Sequence, residues 1–243
     1  MNLFKRITQH NWPAILYFNY KMLPLFQAIK LPFDFYHKVR FVDLTGMIIL
    51  NSNNIRRGML HWGLIEDVIF PYEECVISIK GKLIINADSL GFGTGTTLEI
   101  CNDSTLELND DIVIAPRTKI LTSNLIKIGD HARIGWECQI LDSDFHFLRN
   151  ILTGEVKRNS EPIFIGNNCW IGNHTTINKG TNLPANCIVA SNSLCNKDYR
   201  LIVSEYSILG GIPAKLIQRN FEMIIETVEP ELIKKLLILE KTK

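Results

Sequence analysis

Three things are missing from this sequence, and each absence removes a class of protein. No apolar run approaches the roughly 20 residues that a membrane-spanning helix needs. Charge of one sign is missing too: 26 lysines and arginines meet 25 aspartates and glutamates, which leaves +1 and no bias toward nucleic acid or an acidic ligand. The six cysteines contain no Cys-x-x-Cys pair, so no zinc knuckle or redox motif is written in them. At the start, Lys5 and Arg6 precede apolar residues, but Pro13, Asn19 and Lys21 interrupt any leader-peptide core. A cytoplasmic protein is the expectation.

What is present is a beat of six. Ile165, Ile171, Ile177, Leu183 and Val189 recur every sixth position, which is neither the helical 3.6 nor strand alternation. Such a period is the signature of a parallel β-helix, where each hexapeptide is a short strand plus a corner. With the large aliphatic residue at i, position i+4 is always small: Cys169, Thr175, Thr181, Cys187 and Ser193. Position i+1 is glycine twice, Gly166 and Gly172, where a corner needs a residue without Cβ. Three units would close a triangular coil of about eighteen residues, with coils stacked ~4.8 Å apart. Both the large and the small residue would then point into the prism. The beat extends back through Ile128, Ile134 and Ile140, with Ala132 and Cys138 small, and through Leu108, Ile114 and Ile120, with Thr118 small. Between Ile120 and Ile128 about two extra residues must bulge at a corner. Ile79 and Ile85 fit with Ser89 small, but Gly91 and Thr97 are poor occupants, so residues 75–107 read as degenerate coils.

The flanks differ in texture. Trp12, Ile15, Leu16, Met22, Leu23, Phe26 and Ile29 are helically spaced and broken by Pro13, Pro24 and Pro32. This reads as a helical or irregular cap; Lys21, Lys30, Lys38 and Arg40 also admit a membrane-surface segment. After Pro230, Leu232, Ile233, Leu236, Leu237 and Leu239 alternate with Lys234, Lys235 and Glu240, which predicts an amphipathic C-terminal helix packed on a coil or a neighbouring subunit. The chain thus divides into an arm over 1–45, a stack over 46–215 and a tail over 216–243. Cys138, Cys169 and Cys187 are small inward residues and Cys195 is on the beat, so reduced structural thiols are expected.

The beat breaks once. Counting on from Ile140, the next position is His146, inside Asp142-Ser143-Asp144-Phe145-His146, and the rhythm then vanishes until Ile165. Residues 147–162, FLRNILTGEVKRNSEP, form a polar excursion, and a solenoid usually puts binding loops at such corners. Imidazole titrates near neutrality and takes a proton from a hydroxyl in a transition state. Asp142 or Asp144 would then hold its other nitrogen. Spacing alone equally allows His146 to end a strand while Asp142 and Asp144 form turn bonds. His131 and His174 fall at i+3, facing outward; His10, His37 and His61 lie outside the regular stack. His131, His146 and His174 do not assemble into a zinc site from their spacing, so no metal is expected.

These segments together resemble the hexapeptide-repeat O-acetyltransferases, particularly those modifying bacterial surface polysaccharides and related to the maltose, galactoside and xenobiotic acetyltransferases. The similar stretch covers residues 142–217. DSDFH resembles the catalytic-histidine motif, IGNNCWIGNHTTINKGTNLPANCIVASNSLCNKD the final coils, and GGIPAKLI the closing Gly-x-Pro-Ala-Lys segment. The resemblance implies a mainly β chain built as a left-handed parallel β-helix, an exception to right-handed crossovers. It further implies a homotrimer with a site in each inter-subunit cleft, acetyl-coenzyme A as co-substrate and His146 as general base. By the same likeness Trp170, Gly172 and Asn173 line the pantetheine channel, Ser191, Asn196 and Lys197 fall further along it, and Lys215 sits near the phosphates. Gly172 and Ser191 also serve simple corner packing. Ala190-Ser191-Asn192-Ser193 departs from the usual Ala-Gly-Ser, and Ala115-Pro116 and Pro184 replace glycine corners.

Three functions compete on this reading. Acetyl transfer to a sugar hydroxyl of a surface polysaccharide precursor leads. N-acetylation of a nucleotide-linked amino sugar needs the same base and fold. A noncatalytic β-helical scaffold has no reason to combine DSDFH with a loop.

Overall fold

The computed structural model describes residues 9–64, 69–224 and 229–240. Among these, strands gather into three sheets of nine, seven and six strands, visited in turn and parallel except for the last pair of the nine, and the chain is a left-handed parallel β-helix. One column shows the stacking: Val113 pairs with Arg133, Arg133 with Trp170 and Trp170 with Ile188. Face one holds this column. Face two runs from Val39–Asp43 to Leu194–Cys195, and face three from Met47–Leu50 to Asn182–Leu183.

The six-residue rule describes the interior. Ile165, Ile171, Ile177, Leu183 and Val189 are buried, and so are Cys169, Thr175, Thr181, Cys187 and Ser193 beside them. The left-handed turn at each corner is made at i+3, where Asn168, His174, Asn186 and Asn192 have φ of 55°, 56°, 57° and 58°. Asn and His tolerate that region better than most residues. Gly172 has a different task. A Cβ there would stand 2.5 Å from the backbone nitrogen of Ser191, so glycine lets the next coil approach. The described cysteines are free thiols. Burial pushes Cys138 up to about 11 and both Cys169 and Cys195 up to about 12.

Three expectations need correction. The stack begins at Phe33–Phe35, not at 46, because aromatic residues replace the aliphatic beat in the first coils. Phe33, Phe35 and Trp62 fill that end of the prism, and Trp62 stacks on Phe92 at 4.1 Å between centroids. At 91 and 97 the beat is one residue out of phase: Leu90, Phe92, Leu98 and Ile100 are the inward residues. The lower coils are longer, Leu90 pairing with Ile112 22 residues on, whereas Trp170 pairs with Ile188 after 18. Longer strands carry two inward positions, such as Ile120 with Thr122 and Ile126 with Ile128, which absorbs the extra residues at that corner. Finally, the expected boundary at 215/216 cuts a strand, since Lys215–Arg219 pairs antiparallel with Ser207–Gly210.

Helix α1 (Trp12–Met22) and the one-turn α2 (Leu25–Ala28) cap the first coil. Asn11 caps α1, its Oδ1 accepting from the Ala14 N–H, and Pro13 occupies the first turn. Phe18 packs among Phe33, Phe35 and Phe41 at 4.9, 5.1 and 5.2 Å. At the other end α3 spans Glu229–Glu240, with Pro230 in its first turn. Ile233, Lys234 and Lys235 are exposed and Leu232 is half-buried; the side chains of Leu236, Leu237 and Leu239 lie outside the described residues. Among the described residues no helix is long and apolar enough to cross a membrane.

Candidate active site

Beyond Gln139–Leu141 the chain leaves the corner between faces two and three and returns at Ile163–Ile165. The excursion is a ribbon. The Asp144 N–H donates to the Asn159 carbonyl at 2.7 Å, and the Glu161 N–H to the Asp142 carbonyl at 3.0 Å. Further out, Leu148–Arg149 pairs antiparallel with Val156–Lys157. At the tip Asn150 Oδ1 accepts from the N–H groups of Leu152 and Thr153.

His146 stands near the root of this arm. Phe145 adopts φ 62°, and the His146 N–H donates to the Asp144 carbonyl at 2.7 Å, so a tight turn fixes its backbone. Its side chain is exposed, and among the described residues its ring has no hydrogen-bond partner.

Neither carboxylate holds that ring. Asp142 is buried, and its two oxygens accept from the N–H groups of Ser123 and Asn124 at 2.6 and 2.8 Å, which caps the corner of the coil below. Burial pushes its carboxyl above the usual range, opposed by those backbone donors. Asp144 instead pairs with Lys179 at 2.7 Å. Both aspartates therefore tie the root to neighbouring coils, Asp142 to the one below and Asp144 to Lys179 above, rather than bonding within their own turn as the alternative expected. Lys179 was not legible in the sequence as a site residue. Its position one coil above the arm emerges only once the excursion is known to leave and re-enter at that corner.

The cofactor candidates divide between two corners. Ile171 pairs with Val189 and Val189 with Leu209, while Gly210 pairs with Lys215. Trp170, Gly172, Asn173, Ser191 and Lys215 therefore lie along one column where face one meets face two. Trp170 is 46% exposed, a large indole left uncovered between Arg133 and Ile188. Ser191 and Lys215 are exposed as well. Asn173 has a structural duty: its Oδ1 accepts from the Trp136 N–H at 3.2 Å. Asn196 and Lys197 follow the last strand of face two, at the corner from which the arm departs two coils below. Both are exposed, with Lys197 Nζ 5.7 Å from the Tyr199 ring centroid.

The three histidines weighed for a metal occupy three different corners, His131 after face three, His174 after face one and His146 on the arm. His174 belongs to an ion ladder at the first corner. Its Nε2 is 3.2 Å from Glu137, Glu137 is 3.1 Å from Arg117, and Arg117 pairs with Glu73, whose carboxyl the guanidinium holds below the usual range.

No family model matches the chain. Among curated proteins, Probable acetyltransferase Rv3034c of Mycobacterium tuberculosis is 26% identical over 190 residues, covering 76% of this chain and 58% of its own. Galactoside O-acetyltransferase of Escherichia coli is 25% identical over 127 residues, covering 52% and 50%. The chain thus spans about half the length of these relatives. Among solved structures, the polysialic acid O-acetyltransferase OatWY matches with a TM-score of 0.51 at 17% identity, over 78% of this chain and 92% of its own. The likeness to OatWY is one of fold, and the likeness to the two curated acetyltransferases is partial in both identity and length.

On this fold the features of the chain are its ribbon arm, the exposed imidazole near the arm's root and the column from Trp170 to Lys215. One face, about 15–20 Å wide, separates the arm's corner from that column.

Proposed function

We propose that this chain transfers acetyl from acetyl-coenzyme A to a hydroxyl of a bacterial surface polysaccharide or its precursor, with His146 as general base. The observation that carries the reading is the exposed His146 imidazole on a backbone fixed by the root of the excursion between Gln139–Leu141 and Ile163–Ile165. A side chain sealed in the prism would have no access to a thioester.

The neutral imidazole takes the acceptor's proton as the hydroxyl oxygen attacks the thioester carbonyl. The tetrahedral adduct collapses, the C–S bond breaks, and the leaving thiolate takes the proton from the imidazolium. An ester and free coenzyme A thiol result. In this reading Trp170, Ser191 and Lys215 line the cofactor groove, Lys215 offering a mobile ammonium to phosphate. Gly172 and Asn173 shape its wall. Asn196 and Lys197 belong to the arm's side.

Because those two sets lie a face apart, the reading places the site between copies: one supplies the column and the next supplies the arm. A homotrimer closes such contacts with identical clefts.

The test mixes purified protein, acetyl-coenzyme A and a panel of sugar acceptors, and measures thiol release and product. An acetyl product that alkaline hydroxylamine strips is the expected ester. A resistant amide on an amino sugar would overturn the hydroxyl assignment. Failure to release thiol with any acceptor, together with no coenzyme A binding, would return the chain to a scaffold. Light scattering should give three copies; a monomer would remove the shared cleft.

A further inference from the structure

Helix α1 is apolar on both sides. Its inner side, Ile15, Phe18 and Met22, is buried on the first coil. The outer side of a surface helix is ordinarily polar. Here it carries Leu16, Tyr17 and Tyr20, and the chain continues through Leu25, Phe26 and Ile29, all between 47% and 68% exposed. The platform is fastened. Asn19 Nδ2 donates to the carbonyls of Ile15 and Phe33 at 2.8 Å, its Oδ1 accepts from the Phe33 N–H, and Gln27 Nε2 donates to the Leu50 carbonyl at 3.2 Å.

Charge identifies the occupant. Residues 1–33 contain Lys5, Arg6, Lys21 and Lys30 and no aspartate or glutamate, so this segment carries +4 while the other 22 basic and 25 acidic residues leave −3. Lys21 and Lys30 are exposed and make no ion pair among the described residues. The first carboxylate along the chain, Asp34, is buried and taken by His10 at 2.8 Å. A second copy docked through the same face would bring like charges together. An anionic lipid surface complements both features: tyrosines and aliphatic groups seat at the headgroup boundary while lysines meet lipid phosphate.

We infer that the capped end of the prism docks on an anionic membrane surface through Leu16, Tyr17, Tyr20, Leu25, Phe26 and Ile29, with Lys21 and Lys30 supplying the charge contact. The cap covers the first coil and the arm leaves the fifth, about 20 Å along the axis, so docking leaves the flank open. The inference does not rest on acyl transfer.

The experiment co-sediments the full chain with vesicles of phosphatidylcholine alone and of phosphatidylcholine mixed with phosphatidylglycerol. Binding to the mixed vesicles is expected to exceed binding to the neutral ones. Lys21→Ala with Lys30→Ala should weaken it about thirtyfold. Leu25→Ser with Phe26→Ser should abolish it at an unchanged melting temperature, since both side chains are exposed. No partition of the wild type onto mixed vesicles would overturn the inference, as would binding indifferent to both double variants. End-to-end doubling in light scattering, without vesicle binding and lost in Leu25→Ser with Phe26→Ser, would assign the face to a second copy instead.

Discussion

Lys179 Nζ stands 2.7 Å from Asp144 Oδ2 and 2.7 Å from the carbonyl oxygen of Arg158, so one ammonium holds both strands of the arm to the coil above. His146 hangs from the same turn through the Asp144 carbonyl. Lys179→Met keeps the stem and removes both contacts. Turnover should fall about tenfold to a hundredfold with little change in KM for acetyl-coenzyme A, because the loss is of position rather than cofactor binding. Lys179→Arg should recover part of it. Unchanged turnover in Lys179→Met would remove its positioning role.

The interior rule predicts asymmetric tolerance. Ile177 is fully buried, and Ile177→Ala should destabilise by about 2–5 kcal/mol through lost burial and a cavity. Thr175, also buried, sits where the prism is narrow, and Thr175→Leu should cost about 1–3 kcal/mol by overpacking. Urea unfolding of each variant measures both.

Thiol reactivity should separate the cysteines. Cys75, Cys138, Cys169, Cys187 and Cys195 are buried, whereas Cys101 is partly exposed. The thiolate is the reactive form, and burial raises the thiol pKa of each of the five. A thiol reagent should modify one residue quickly in the native protein and six in denaturant. Rapid native modification of Cys169 would contradict the packing.

Asp142 should behave unlike an ordinary ion-paired carboxylate. Its folded value is raised by burial, so the native state holds more proton than the unfolded chain between the two values. Its contribution to stability therefore grows as pH falls through the raised value and shrinks as pH rises. Asp142→Asn places an amide against one of the two backbone donors and should cost about 1–3 kcal/mol. The stability gap between wild type and variant should widen from pH 7 toward pH 4; a narrowing gap would reverse the sign.

The stack was legible because its rule repeats: Ile165 to Val189 obey it five times, and the structure buries each one. His146 was legible as the place where the rule stops. The role of Asp142 was not, because its partners Ser123 and Asn124 belong to the coil below, at a corner where the two flanking strands are longer than the beat allows. Asn173 hid its duty for the same reason, its acceptor serving Trp136 in the preceding coil. The first coil escaped notice since Phe33, Phe35 and Phe41 fill space that aliphatic residues fill elsewhere. The division of the cofactor candidates between two corners required the strand register, which puts Lys215 above Gly172 and leaves Lys197 a face away.

The central claim is that His146 accepts the acceptor's proton. His146→Ala, assayed for thiol release from acetyl-coenzyme A with a competent acceptor, tests it most directly, with thermal melting to show that the coils survive. Turnover is expected to drop by about 10²–10⁴-fold at an unchanged melting temperature. Wild-type turnover in that variant would contradict the account.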